Sequence, residues 1–465
     1  LEKPKKNLIA DPIPQLIRQL AIPASVGMFF NTMYNVVDTF YAGRLSTEAL
    51  AALSLTFPIY FVLLAMGMGF STGATALIGN ALGRDDQEEA ARTASQGLVL
   101  SILLAAVVVT AGFLASPALF RLLGAQEQYL EMCLQYIHVI LCGSGITLFV
   151  FMFNGILNAQ GDTHSFRDYL MVATVANIIL DPWFMYGGLG LPAMGVRGIA
   201  MATVLVQIFG GIFLGLRARR TGLLFRSSGA VWTPDRRVLR DIVGQGVPAS
   251  LNMMTVAIGI FIITYFLSGF GKQTVAAYGA ATRIEQIVLL PALGLNVATL
   301  TLAAQNGGAG RFDRVRSTVR VALGYGAAVM VLGAAVVFFG AGPLMHLFTE
   351  DAEVASIGIR YLRIAAFIEH AYVFLFINTS LLQGLKKPVF ALWIGLYRQL
   401  VMPPVLFYMA TRVLGLGLTG IWWGIFIITW SAALVAIFYA RKTVDTMAAS
   451  MTAPAAAVGE GPPGQ

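Results

Sequence analysis

The stretch AIPASVGMFFNTMYNVVDTFYAGR, residues 21–44, decides how this chain folds. It is apolar for longer than the ~20 residues needed to cross a hydrocarbon core, yet it places Asp38 shortly before its end. A carboxylate inside lipid costs about 2.5–3.5 kcal/mol on insertion scales, so it persists where a function or a partner offsets that cost. Asn31, Tyr34, Asn35 and Asp38 follow i, i+3, i+4, i+7 and therefore share one helix face. The same stretch contains IPAS (22–25), which recurs as VPAS at 247–250.

That recurrence belongs to an internal repeat. TEALAALS (47–54) returns as QTVAAYG (273–279), GNALGR (79–84) as QNGGAGR (305–311), NAQGDT (158–163) as LLQGLKKP (381–388), and MGVRGIA (194–200) as TGIWWGI (419–425). All five landmarks keep an offset of about 225 residues, which implies two homologous halves.

Composition fixes what the halves are made of. Hydrophobic residues make up 57% and charged residues 12%, against about 25% charged in soluble domains, so this is a polytopic membrane protein. Loops rich in Gly, Pro and charge mark off twelve apolar segments, at about 16–43, 49–82, 95–116, 130–159, 168–187, 195–216, 241–268, 274–305, 317–341, 355–384, 390–411 and 418–440. The expected fold is all-α: twelve transmembrane helices in two pseudo-symmetric six-helix lobes around a central cleft. An N-terminal lobe (1–216) joins through a basic linker (217–240) to a C-terminal lobe (241–442), with a disordered tail at 443–465. An even number of spans per half gives both halves the same orientation, so the relating axis runs along the membrane normal.

Most of the 31 Lys and Arg residues fall on one side when the N-terminus is placed in the cytoplasm. The positive-inside bias then puts both termini there. It also accounts for the net charge of +8, so a nucleic-acid partner is not expected. No cleavable leader is visible in LEKPKKNLIADPIP, and the first span is expected to anchor itself. Cys133 and Cys142 share one apolar segment and suggest neither a disulfide framework nor a metal site.

Two lobes facing each other across a cleft form a transporter plan, with substrate held at the interface and access alternating by rocking. The polar residues inside the spans can then be assigned. Asn177 and Asp181 lie one turn apart on the fifth span, Asn154 and Asn158 on the fourth, and Thr203 and Gln207 on the sixth. Asp38 and Asp181 each sit roughly 8–9 Å below the outer end of a span, so they can meet within one lobe. Two carboxylates in a low-dielectric pocket cannot both ionise cheaply; the pair is expected to hold a proton or a monovalent cation. Asp38 could instead be a structural residue bonding a neighbouring helix. Asn154 and Asn158 are candidate substrate contacts, although helix-to-helix glue is the commoner role for such residues.

The repeat does not copy the acid, since the position matching Asp38 is Ile263. The eighth span instead carries Arg283, Glu285 and Gln286 as candidate substrate contacts. Glu285 could attract a cationic substrate, carry a proton, or be neutralised by Arg283. For Glu369 and His370 a packing role is favoured, and Arg398 is expected to satisfy a helix end or a carboxylate.

YNVVDTFYAGRLSTEALAALSL, GFSTGATALIGNALGR, NGILNAQGDT and NIILDPWFMYG with GVRGIAMATVLVQ together resemble the signatures of the multidrug and toxic compound extrusion (MATE) transporters, across residues 14–442. The resemblance implies a cation-coupled antiporter of the prokaryotic inner membrane, with no cofactor beyond H+ or Na+. It would act as a monomer and export organic cations and amphipathic drugs. It further implies a cation site at Asp38, Asn177, Asp181 and Thr203, which could hold Na+, with Tyr34 as the neighbouring aromatic. Glu285 resembles the acid of MepA-like members. The seventh helix lacks the acid of the NorM branch, and the tenth has Tyr372 where that branch's aspartate aligns. The resemblance therefore points to the MepA-like and DinF-like members and to coupling through Asp38 and Asp181, with H+ favoured. A lipid-linked oligosaccharide flippase is the alternative, disfavoured because Arg283 and Arg398 alone could meet an anionic headgroup. An enzyme is not expected, because HExxH, paired-His spacing and a nucleophile elbow are all missing from the sequence.

Overall fold

Each apolar segment forms a helix because a hydrocarbon solvent leaves the backbone no other hydrogen-bond partner. A computed structural model describes residues 7–188, 190–224 and 233–452. The helices are α1 (Ile13–Leu45), α2 (Thr47–Gly83), α3 (Gln87–Leu122), α4 (Glu127–Ala159), α5 (His164–Tyr186), α6 (Val196–Arg220) and α7 (Arg236–Ser268). They continue with α8 (Lys272–Val288), α9 (Leu290–Gly308), α10 (Phe312–His346), α11 (Ala352–Gly384), α12 (Val389–Leu396), α13 (Met402–Tyr408) and α14 (Gly417–Thr452).

Two of the expected spans are not simple rods. The eighth is α8 and α9, bent by 47° at their junction, where Pro291 cannot donate to the preceding turn. The eleventh is α12 and α13 joined by a π-helical turn at Tyr397–Val401 and followed by another at Met409–Val413. Counting the bent pair once gives twelve spans. Short caps separate them: Ser46 accepts the Ala49 N–H at 3.0 Å between α1 and α2, and Asp86 and Asp351 start α3 and α11 in the same way. The last helix runs to Thr452, past the expected boundary at 442, because Val444 is buried and Arg316 of α10 pairs with Asp445. Residues 453–465 of the expected tail, and 225–232 of the linker, lie outside the described residues.

The bundle has a proximal end, where α1 and α7 start and α6 and α14 finish, and a distal end. Its two lobes exchange material at the proximal end. Ile13, Leu16, Ile17 and Leu20 of α1, with Leu8 before it, pack into a core supplied by α9, α10 and α11. Reciprocally, Val238 and Ile242 of α7 sit in the core of the first lobe with Phe70 and Leu98. The distal half of α1 returns to its own lobe: Thr174 donates to the Phe30 carbonyl and Tyr41 to the Ile178 carbonyl, both at 3.0 Å.

Small residues make the proximal seam tight. A Cβ on Gly69 would meet Ser250, on Gly73 the backbone of Gly246, and on Gly83 the Gln305 carbonyl. Side-chain amides and hydroxyls complete it: Asn80 donates to the Gly384 carbonyl at 2.8 Å, Gln305 to that of Ala159 at 2.7 Å and Thr301 to that of Asn158 at 3.1 Å. In the distal half, by contrast, Asn31 and Thr39 of α1 and Ala276, Gly279, Arg283 and Gln286 of α8 are exposed. Small and polar stripes of this kind suit water rather than lipid, so the cleft between the lobes is closed proximally and opens at the distal end.

Gly83→Leu drives a side chain against backbone that cannot yield and is expected to destabilise the protein by at least the ~1–3 kcal/mol of core overpacking. Gly244→Leu, where a Cβ meets open space, serves as the neutral control. Thermal unfolding of the two variants in detergent compares them directly.

Candidate functional site

Helices α1, α5 and α6 bring four of the expected residues together inside the first lobe. The Asn177 amide nitrogen donates to Asp38 Oδ1 and, at 3.1 Å, to Asp181 Oδ2, so one amide bridges two carboxylates. Asn177 and Asp181 are fully buried and Asp38 is 7% exposed. Thr203 of α6 is 1% exposed and Tyr34, one turn before Asp38, is 7% exposed. Their hydroxyls approach each other and Asp38 without reaching the geometry of a formed hydrogen bond.

Asn177 can sit between the two acids because α5 presents residues 177 and 181 one turn apart on its buried face, opposite the buried face of α1. Bridging uses both of its N–H groups. The oxygens Asn177 Oδ1, Asp181 Oδ1, Thr203 Oγ1 and Tyr34 OH are left without partners. A pocket with two carboxylates, one amide donor and four unpaired oxygens is short of positive charge. Its chemistry is the capture of a proton or a hard monovalent cation. Two further phenols, Tyr60 of α2 and Tyr136 of α4, lie within electrostatic range of Asp38. Sequence reasoning missed both, since a tyrosine within an apolar span reads as packing and its approach to Asp38 comes from a different helix.

Other expected residues fall elsewhere. The α1 face divides: Tyr34 and Asp38 point into the lobe, whereas Asn31 is exposed and Asn35 half-buried, its amide donating to the Asn31 carbonyl at 2.8 Å. The 100° step per residue spreads such a stripe over an arc, and the arc spans lobe interior and cleft. Asn154 and Asn158 lie in the last two turns of α4, at the proximal end, away from the carboxylates. The Asn158 carbonyl takes its bond from Thr301 across the seam. Gln207 pairs with Thr147 of α4.

In the second lobe Glu285 is buried and accepts from the Tyr361 hydroxyl, at 3.0 and 3.2 Å to its two oxygens. Arg283 does not neutralise it: the arginine is exposed with Gln286 on the opposite side of α8. Arg398 meets no carboxylate either. It stands 5.2 Å from the centroid of the Tyr372 ring, and its Nε is unpaired. Three ion pairs form among the described residues, Arg92–Asp235, Arg167–Asp168 and Arg316–Asp445, and none involves these groups.

The repeat makes the contrast between lobes legible. The positions matching Asp38, Asn177, Asp181 and Thr203 are Ile263, Met402, Leu406 and Ile428. All four belong to one apolar cluster. The second lobe thus has the same helix geometry with hydrocarbon in place of the polar pocket.

Comparison with known proteins matches this pattern of repeats. The profile of the MatE family matches twice, over residues 23–183 and 248–409, once in each half. The chain belongs to the MATE family. It is a transporter and not an enzyme, and a multi-pass membrane protein. It is 28% identical over 347 residues to "Probable multidrug resistance protein YoeA" of Bacillus subtilis, covering 74% of this chain and 75% of that one. It is 27% identical over 359 residues to "FAD transporter" of Shewanella oneidensis, covering 76% and 78%. A solved structure described as the outward-facing conformation of a multidrug resistance MATE family transporter superposes with a TM-score of 0.89 at 28% identity, covering 96% of this chain and 99% of that one.

Removing the bridging donor tests the pocket. Asn177→Ala is expected to cost about 1–3 kcal/mol of stability. The loss should be larger at alkaline pH, where both carboxylates lack protons, than at acidic pH, where a neutral carboxyl needs the amide less. Thermal melts of parent and variant at the two pH extremes read the difference.

Proposed function

We propose that this MATE transporter is a cation-coupled antiporter that exports organic cations and amphipathic drugs by alternating access, with H+ as the coupling ion. The observation that carries the reading is the Asp38–Asn177–Asp181 bridge, buried inside a lobe at the distal, open end of the cleft. One amide holds both carboxyl groups, and two carboxylates brought this close in a buried pocket repel unless one of them takes up a proton. The unpaired oxygens of Asn177, Asp181 and Thr203 would suit Na+ at the same place.

The mechanism follows from where α1 is anchored. Its distal half carries Asp38 and is tied to α5, while its proximal half is packed in the other lobe. A proton arriving at the pocket removes the repulsion between the carboxylates and changes how α1 sits on α5. That change is transmitted along the helix to the proximal seam. Substrate bound in the cleft between the exposed faces of α8 and α1 is released to the distal side as the proton enters. We place the protein in the prokaryotic plasma membrane with both termini cytoplasmic, so that the distal end is the outer one. The acting unit is one chain, with its two lobes joined through the segment between α6 and α7. Arg283, exposed on the second lobe's face and without an ion pair among the described residues, favours a second reading. In it the substrate is an amphipathic anion, as the name of the Shewanella FAD transporter indicates for that relative.

Liposomes loaded with ethidium or, separately, FAD are tested under a pH gradient alone and a sodium gradient alone. The pH gradient is expected to drive ethidium efflux in the parent, and Asp38→Asn and Asp181→Asn to reduce it at least tenfold while ethidium binding persists. Unchanged efflux in both variants would sink the mechanism. Efflux of FAD without ethidium would select the second reading.

A further inference from the structure

Glu369 of α11 is fully buried, and neither of its carboxyl oxygens has a hydrogen-bond partner. Its Oε2 faces Gly333 of α10, 3.7 Å from where a Cβ on that glycine would stand. Val288, the last residue of α8 before the 47° bend, packs against the same glycine. The acid therefore lies beside a broken span, the kind of place where membrane transporters bind ions.

The titratable and charged groups that face this region are Glu285 and Tyr278 from α8, Tyr361 and Tyr372 from α11 itself, and Arg398 from the turn after α12. The stretches of α10 and α14 packed there carry no titratable side chain. Glu285 is the neighbour felt most directly by Glu369, and Tyr361 donates to Glu285 rather than to Glu369. An anion with no donor at this depth is more costly than any alternative. Burial without a donor favours the neutral acid at Glu369 over its anion, with Glu285 within electrostatic range but not bonded to it.

This cluster is not a copy of the Asp38 pocket. By the repeat, Glu285 and Tyr361 match Tyr60 and Tyr136, and Glu369 matches Ser144, whereas the true counterpart of the Asp38 pocket is filled by Ile263 and its neighbours. The second lobe has its acids at the interface of α8 and α11 instead.

We propose that Glu285 and Glu369 form a second proton-carrying site that is loaded and discharged once per transport cycle, so that export of one substrate molecule exchanges two protons, one from each lobe. This rests on the proton-driven reading above. The step is a proton transfer alone: an O–H bond of the carboxyl pair breaks, the proton leaves to water in the cleft, and the pair retains the negative charge that a cationic substrate then neutralises. Straightening or deepening the bend at Val288 moves the wall over Oε2 and opens the acid to the cleft.

The test balances an ethidium gradient against a pH gradient in proteoliposomes and reads the proton-to-ethidium ratio at zero net flux. The parent should give two and Glu369→Gln one, with ethidium still exported and its pH dependence reduced to a single step. A parent ratio of one, or an unchanged ratio and pH profile in Glu369→Gln, would overturn the proposal while leaving proton coupling through Asp38 intact. A parent indifferent to the pH gradient would instead remove the functional reading itself. Should Glu369→Gln aggregate on gel filtration, the proton count of the parent decides: detergent-purified protein in weak buffer should release two protons per molecule on adding saturating ethidium, and one would overturn the proposal.

Discussion

Hydrocarbon cannot hydrogen-bond, and nearly every feature of this transporter follows from that. It forces the backbone into helices, confines irregular turns to places covered by protein, and makes each polar side chain inside the bundle find a partner or a purpose. The same constraint gives weight to Asn177, whose single amide holds two acids that lipid would reject.

The two lobes illustrate how one scaffold accepts opposite interiors. Duplication preserved helix positions so well that four residues of the polar pocket have four apolar counterparts in one cluster. Packing tolerates this exchange because side chains such as Met402 and Leu406 fill volume without demanding hydrogen bonds. Polar chemistry in the second lobe then arose on a different pair of helices, around Tyr361 and Trp422, whose rings lie 4.6 Å apart beside Glu285.

Much of this was legible in the sequence. Helix number and type followed from hydropathy, the twofold plan from IPAS and VPAS, and the convergence of Asp38 with Asp181 from the depth of each below its helix end. What was hidden has physical reasons. Which side of α1 faces the lobe and which the cleft depends on a rotation that periodicity alone does not fix, so Asn31 and Asp38 were grouped and the structure parts them. Glu369 read as packing because one acid in an apolar run gives no sign of whether a donor awaits it. The pairing of Glu285 with Tyr361 rather than Arg283 links residues on different helices, beyond the reach of local spacing. The exchange of helix halves at the proximal end left no trace at all, since an apolar residue reads the same in either core.

That exchange bears on whether either half could stand alone. Leu16 and Ile17 complete the core of the half to which they do not belong, and Val238 and Ile242 return the favour. A single copy of the repeat, standing alone, would lack the segment that fills its own centre and would expose the one meant for its neighbour. Each half of this chain is therefore complete only in the presence of the other, so neither six-helix lobe is a folding unit in its own right.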